Sequence, residues 1–316
     1  MGRYVVKRLI YTVIIVIAAA IIGFTLIYLC PGDAAQLSLG VGAAEDVLAA
    51  KRAELGTDQP YLVQLGTYLY QVFLRFDFGV SWKYGGNVGT ELLIRLPRTL
   101  IMGLGGMILN VFIGTWMGIF AATHAGRWQD SIMLIIAMFF TAAPGFWIAL
   151  MMIVLFCNNL GWLPSHGIAD GWKSYVLPII CSSLGGIAIN ARQARSAMLE
   201  VIHSDFVTTA RSKGQNERKI TYHHILPNAM MPIITGVGGG LAMVVAGSPV
   251  MEQVFSIPGI GMYMLDGVNS RDIPIVCGCV VFFAAFTSLA MLVMDLAYAF
   301  LDPRIKAQYA RKKKKV

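Results

Sequence analysis

Long apolar runs separated by short polar ones dominate this chain. Residues 9–29 read "LIYTVIIVIAAAIIGFTLIYL", without a single charge. A helix needs ~20 apolar residues to cross the bilayer core. Further runs of this kind cover residues 99–122, 131–157, 175–191, 228–250 and 273–301. The pattern predicts an all-α integral membrane protein with six transmembrane helices. The run at 175–191 is the most interrupted: it holds Pro178, Gly185 and Gly186 and ends at Asn190, Arg192 and Arg195. Such breakers are tolerated in lipid where neighbouring helices satisfy the backbone.

Residues 31–97 break this rhythm. They carry "PGD", then "EDVLAAKRAELG" and "DQPYLVQLGTYLYQVFLRFDFGVSW". This partly amphipathic segment predicts short helices on the outer face. Its aromatics Tyr61, Tyr68, Tyr70, Phe73, Phe76, Phe78 and Trp82 suit a membrane interface. The expected organisation is a tail and first span at 1–30, an extracytoplasmic loop domain at 31–97, and a five-span core at 98–316. That core includes an inner loop at 196–227.

Charge fixes the orientation. The chain has 25 Lys and Arg against 17 Asp and Glu, with a mean hydropathy of +0.66. Arg3, Lys7 and Arg8 precede the first run. A secretory signal has that order too, but its apolar region is only ~7–15 residues long. With the N-terminus inside, only Lys51, Arg52, Arg75, Lys83, Arg95, Arg98, Lys173 and Arg271 fall outside. The remaining cations lie on inner segments, as the positive-inside rule requires, and six spans bring both termini to the cytoplasm. The basic tail at 311–315 reads as an anchor near anionic lipid, where each charge contributes about 1 kcal/mol. It does not read as a nucleic-acid arm.

Several chemistries find no support. An ion-coupled carrier uses ionisable groups buried at mid-membrane. Here the second run holds Asn110, and Asp295 lies near the inner end of the last. No G-x-x-x-x-G-K-[ST] phosphate loop occurs. The glycines at 236–240, and Gly114 and Gly118 at G-x-x-x-G spacing, read as close helix packing. His166, His223 and His224 lack a partnering nucleophile or ligand set, and neighbouring histidines point apart on a helix. Cys30, Cys157, Cys181, Cys277 and Cys279 read as membrane-packing residues. No catalytic, metal or cofactor site is expected. Met230, Met231, Met243 and Met251 can line an adaptable pathway or simply pack, so no substrate residue is assigned.

The densest polar stretch lies mid-chain, "DFVTTARSKGQNERKITYHHILPN" at 205–228. Ser204 is placed to cap a short helix, and Asp205 suits its first turn. Gly214 permits a left-handed stop. Val207, Ala210 and Gly214 form one small-residue stripe. A second short helix is expected from Asn216 to His224, with Pro227 marking a break before the fifth span. A helix–Gly–helix with a smooth face and a basic flank suits another protein's groove. A solvated loop obeying the positive-inside rule is the alternative.

This stretch resembles a family motif. The membrane permease subunits of ATP-binding-cassette (ABC) importers carry E-A-A-x-x-x-G, nine residues, then I-x-L-P. Ala210, Gly214, Leu226 and Pro227 match it, while Thr208, Thr209 and His224 replace its Glu, Ala and Ile. The peptide branch reads D-Y-V-x-T-A-R-A-K-G, which "DFVTTARSKG" follows more closely. "PGD" (31–33), "ELLIRLPRTL" (91–100), "ARSAMLEV" (194–201), "VFSIPGIG" (254–261), "RDIPIV" (271–276) and "LDPRI" (301–305) extend the likeness over nearly the whole chain. The resemblance is to B-type subunits of the dipeptide, oligopeptide and nickel importers, in the cytoplasmic (inner) membrane.

That resemblance implies a type I ABC importer permease fold, with 98–316 as its core permease domain. It implies a homologous C-type permease partner, two cytoplasmic ABC ATPases and an extracytoplasmic solute-binding protein. ATP and Mg would belong to the ATPases. The coupling positions it implies are Asp205, Thr208, Thr209, Ala210, Arg211, Lys213, Gly214, Leu226 and Pro227. Peptide is the implied substrate, with nickel or glutathione as alternatives. An ion-driven carrier or channel, or a membrane sensor, are the readings from other classes.

Overall fold

The computed structural model describes residues 2–40, 42–246 and 249–301. The basic tail and the side chains of Met231, Met243 and Asp295 lie outside the described set. Among the described residues there is no strand, only an isolated bridge between Val80 and Asn87.

The chain opens with α1 (Gly2–Tyr28), followed by three short helices: α2 (Ala34–Leu39), α3 (Glu45–Leu55) and α4 (Tyr61–Leu74). These fill the predicted outer segment. Their ends follow local chemistry. The Asp33 carboxylate accepts from the Ala35 amide (3.0 Å), and Gly56 closes α3 at φ +70°. Helix α5 (Val88–Leu109) starts well before residue 99 and runs through a π turn (Asn110–Gly114) into α6 (Thr115–Thr123).

The third predicted span is broken. Helix α7 (Trp128–Ala142) and α8 (Gly145–Met152) with its π extension to Asn159 meet at 100°. Pro144 explains the break: the residue before a proline is pushed out of the helical region, and Ala143 has ψ 131°. Next come α9 (Lys173–Ile202), α10 (Asp205–Ser212), α11 (Glu217–Lys219), a π turn (Ile220–Ile225) and α12 (Leu226–Ala246). The chain ends in α13 (Pro249–Val254), α14 (Ile260–Ser270) and α15 (Ile273–Leu301). Among the described residues four helices are long and apolar enough to cross a membrane, or five with the bent pair as one span. Helix α12 occupies the stretch of the fifth predicted span. On α1, Ile10, Ile14, Ile22 and Leu26 are all more than half exposed. From Leu9 onward the helix carries no charge, and such a stretch can present these ribs only to hydrocarbon.

The helices divide into two compact units. Residues 1–97 and 258–316 form one. In it α1 packs along α15, with Gly23 under Val280 and a buried cluster of Val16, Ala20, Val72 and Val281. Tyr68 of α4 stacks on Phe24 of α1, and Tyr61 meets Tyr28 edge to face. Buried Asp272 accepts from the Ser81 hydroxyl (2.7 Å) and the Lys83 amide (3.0 Å), tying the segment before α5 to the start of α15.

Residues 98–257 form the other unit, centred on α9. Glycines let α6 approach it: a Cβ on Gly118 would lie 2.5 Å from the Ala194 Cβ, and one on Gly114 2.9 Å from the Ile187 carbonyl. The G-x-x-x-G spacing is thus a packing device. One core joins α9, α10 and α12 through Met198, Val207, Ile220, Ile225 and Ile233. Another gathers Met102, Ala149, Leu177, Cys181, Met251, Phe255 and Ile257. Met251 is packing; it is 5% exposed.

Candidate functional site

The segment expected to couple is built by α10, the Gly214 turn and α11. Ser204 has the extended backbone of an N-cap, but its hydroxyl donates back to the Val201 carbonyl (2.6 Å) instead of capping. The α9 terminus captures it first. Two turns later Gly214 adopts φ +73°, and its amide reaches the Arg211 carbonyl (2.9 Å). Asn216 then caps α11 by accepting from the Arg218 amide (2.9 Å). Two side-chain pairs brace the turn. Arg211 meets Glu217 at 2.8 Å, and the His224 Nε2 lies 2.9 Å from Gln215 Oε1.

The expected smooth docking stripe does not face outward. Val207 and Ala210 are 0% and 8% exposed and pack into the unit's own core, while Gly214 stands in the open. The hydrophobic demand of α10 is met internally. Its solvent face instead presents Asp205, Phe206, Thr208, Thr209, Arg211 and Lys213. Phe206 was not singled out by the sequence pattern, because an aromatic beside Val207 reads as core. Leu226 is half-buried and Pro227 exposed.

The expected break at Pro227 is also absent. The π turn runs directly into α12. A proline removes one backbone donor; here Asn228 Nδ2 adds a side-chain donor to the His224 carbonyl (2.7 Å), and the wider turn accommodates the ring. His223 and His224 thus sit in the π turn, not at the end of a separate helix.

The second feature is a cavity of about 400 Å³ inside the same unit. Thr99, Gly103, Gly106 and Asn110 line it from α5 and the π turn. Ser182, Ser183, Gly186, Asn190 and Gln193 line it from α9. Gly236, Gly240 and Val244 of α12 and Glu252 of α13 complete the wall. Close glycines shape it. A Cβ on Gly103 would lie 2.3 Å from the Val244 carbonyl, and one on Gly236 2.3 Å from Gln193 Oε1.

Its polar groups are held in place. Thr99 donates to Glu252 (2.7 Å), and each residue is 1% exposed. Gln193 Nε2 donates to the Pro232 carbonyl (3.0 Å). Asn190 Nδ2 bridges the Asn110 carbonyl (3.0 Å) and the Thr115 hydroxyl (3.2 Å). The π turn at Asn110 is of the kind that clusters at functional sites. Sequence reasoning noted Asn110 but not this wall. Its signal was readable: Ser182, Gly186, Asn190 and Gln193 recur at helical spacing on one face of α9.

Among the described residues, no three His, Cys, Asp or Glu side chains gather as a metal site. All five cysteines are free. Cys181, Cys277 and Cys279 are buried as expected, but Cys30 is exposed just after α1 and does not pack.

Comparisons with known proteins agree with one another. Residues 114–307 match the family described as binding-protein-dependent transport system inner membrane component, and residues 1–103 match its N-terminal counterpart. A putative peptide transport system permease protein of Brucella abortus (strain 2308) is 34% identical over 313 residues, covering 97% of this chain and 99% of the relative. The glutathione transport system permease protein GsiC of Salmonella typhimurium is 36% identical over 306 residues, with the same 97% and 99% coverage. Among solved structures, the inward-facing MetNI methionine ABC transporter matches with a TM-score of 0.56 at 19% identity. That match covers 67% of this chain and 96% of the other and concerns the fold alone. Matched by family along nearly its whole length, the chain belongs to the binding-protein-dependent transport system inner membrane components, the permease subunits of ABC importers.

Proposed function

We propose that this protein is the B-type permease subunit of an ATP-driven importer that moves short peptides across the cytoplasmic membrane. Partner ATPases grip it at 205–227. One observation carries the coupling assignment: α10 is anchored from below by Val207 and Ala210 while Thr208, Thr209, Arg211 and Lys213 face solvent. A partner pushing on that face moves the core beneath it, including α9 and α12. An ATPase can drive the permease only by favouring one of its states over the other.

In this reading a homologous C-type permease completes the pathway. An extracytoplasmic binding protein delivers substrate to the 31–97 segment, and both termini lie in the cytoplasm. ATP and Mg are held by the two ATPases, since the sequence has no phosphate loop of its own. Peptide is favoured by the name of the Brucella relative, a putative peptide transport system permease. Glutathione, itself a small peptide, is the second reading, favoured by the Salmonella relative.

The test is co-purification and uptake. Arg211→Glu, or Gly214 replaced by a bulky residue, should abolish ATPase association and peptide uptake while membrane insertion persists. Normal association and uptake in both variants would overturn the coupling assignment.

A further inference from the structure

An apolar groove of about 720 Å³ opens on the 98–257 unit. Ile108 and Ile113 line it from the α5–α6 span, Ile136 and Phe140 from α7, and Ile179 and Ile187 from α9. All three elements are long and apolar enough to cross a membrane, α7 as part of the bent pair. Gly105 and Met117 mark the ends of the first wall. Over those residues a helix rises ~18 Å at ~1.5 Å per residue. Half of a ~30 Å hydrocarbon core is ~15 Å, so the groove is about one leaflet deep.

The bend in the third span opens it. Helix α7 meets α9 at the ion pair of Asp130 and Arg195. Counting from that pair in antiparallel register places Ala137 level with Ala188 and Phe140 near Leu184, and all four line the groove. Helix α7 ends at Ala142, so Val176, Ile179 and Ile180 lie beyond its reach. Helix α8 does not cover them. It leaves at 100° and lays Ala149 against Leu177 and Cys181, on the adjoining face of α9. A strip of α9 is left bare where a straight span would have packed.

The chemistry of the walls selects what fills this space. Ser183 is the one polar side chain among the described lining residues, and its hydroxyl donates to the Ile180 carbonyl (2.8 Å). Water needs ~2–4 polar partners, which these walls do not offer. A peptide entering here would leave its backbone groups unpaired. Hydrocarbon carries neither cost, and it stands at the mouth. Ile108, Ile113 and Ile136 are exposed, and they continue onto the exposed Phe112, Ile135 and Phe139. The groove is therefore continuous with the lipid-facing surface. A helix is too large to enter it: at ~10–12 Å across, an ~18 Å length fills roughly 1,400–2,000 Å³. Apolar burial alone gives no preference within a bilayer. A chain is retained by contact on several sides at once, because an unfilled groove forfeits the dispersion contacts of its walls.

We propose that this groove holds one acyl chain of a membrane phospholipid. The chain lies against α7 just before its bend and replaces the contacts that a straight span would make with Val176, Ile179 and Ile180. The site is independent of which solute the importer carries.

The experiment uses the assembled importer in vesicles of phosphatidylethanolamine and phosphatidylglycerol. A share of the phosphatidylglycerol carries a diazirine midway along one tail. Samples are irradiated in vesicles, or after extraction into mild detergent and washing, and adducts are mapped by mass spectrometry. In vesicles, label should reach Ile180 and Ile187 in the groove as well as Phe112 and Ile135 on the exposed ribs. After washing, groove label should persist while rib label falls about tenfold relative to it, equivalent to ~1.4 kcal/mol of retention. Ile108→Trp and Ile113→Trp each place a large ring at the mouth and should bring washed groove label down to the rib level. Unchanged rib label in vesicles shows that either variant is intact. A native groove that stays unlabelled in vesicles while the ribs react would mean that protein covers it, and would overturn the site. Groove and rib label lost together on washing would also overturn it, since the chain would then be ordinary boundary lipid. So would washed groove label that both tryptophan variants leave unchanged.

Discussion

Arg195 of α9 and Asp130 of α7 form a two-pronged ion pair, with Nε to Oδ1 at 2.6 Å and Nη2 to Oδ2 at 2.7 Å. The Gly126 amide adds a third donor to the carboxylate at 3.1 Å. Asp130 is 4% exposed. The pair pins the start of the bent α7–α8 element to the helix on which α6 and the α10 core also rest. Removing one partner strands a buried charge, which costs ~3–5 kcal/mol. Because the Arg195 side chain keeps 24% exposure, the low end of that range applies. Asp130→Ala should lower the unfolding midpoint of the purified protein by several degrees, and Arg195→Ala should do the same. The double variant should lose scarcely more than either alone, because the lost interaction is shared. Additive losses would show that the two residues act separately.

The proposed coupling face should behave differently. The Arg211–Glu217 pair is exposed on both sides, and such pairs contribute ~0–1 kcal/mol. Arg211→Glu should therefore leave the unfolding midpoint unchanged within about a degree, yet lose ATPase association. Stability and coupling separate cleanly here. A large fall in midpoint would mean that the residue is structural.

The two faces of α10 give a direct test of its orientation. Val207 is fully buried against the α9–α12 core, whereas Thr208 is exposed beside it. Val207→Asp buries an unpaired carboxylate and should collapse the expression of folded protein. Thr208→Asp should be tolerated for folding. Equal tolerance of both would contradict the inward orientation.

Much of this architecture is legible from residue patterns alone. Charge-free runs mark α1 and α15, "PGD" marks the start of α2 through the Asp33 cap, and Gly214 marks a turn with positive φ. Four features are less legible. Pro144 was absorbed into an apolar run, because apolar content says nothing about direction and the break depends on one backbone angle at Ala143. The π turns at Asn110 and Ile220 shift helical phase without changing composition. The stripe Val207–Ala210–Gly214 was visible, but periodicity cannot say whether an apolar face meets a partner or the chain's own core. The buried amides of the cavity come from helices distant in sequence, so only their helical spacing on α9 was there to read.

The 31–97 segment should carry a defined pH response. Arg52 beside Asp33 holds its carboxyl below the usual carboxylate range; partial burial opposes this, and the Ala35 amide adds to the lowering. A depressed value in the folded state means that the interaction stabilises fully above the unfolded value of about 3.9. That stabilisation is lost as pH falls through the folded value. Hydrogen exchange across α2 and α3, corrected for intrinsic rates, should thus be flat from neutral pH down to about 4. It should quicken below that. Asp33→Asn should start faster and lose the pH step, since it removes the titrating group and the charge partner of Arg52 together. A step that persists in Asp33→Asn would assign the response to another carboxylate.

Gly118 offers the sharpest test of the close approach between α6 and α9. A Cβ there would lie 2.5 Å from the Ala194 Cβ, 2.6 Å from the Ala191 carbonyl and 3.0 Å from the Arg195 amide. Two of those three atoms are backbone and cannot rotate away. Gly118→Ala must therefore push the helices apart, and overpacking of this kind costs ~1–3 kcal/mol. Gly126→Ala is the matched control in the same region. Its Cβ would meet nothing within 4 Å, and its penalty is confined to φ +75°, about 1–2 kcal/mol. The two variants should destabilise by comparable amounts but fail differently. Gly118→Ala should weaken a disulfide introduced between α6 and α9 by moving its partners apart, while Gly126→Ala should leave cross-linking efficiency unchanged. Efficient cross-linking in both would mean that the α6–α9 contact is looser than these distances require.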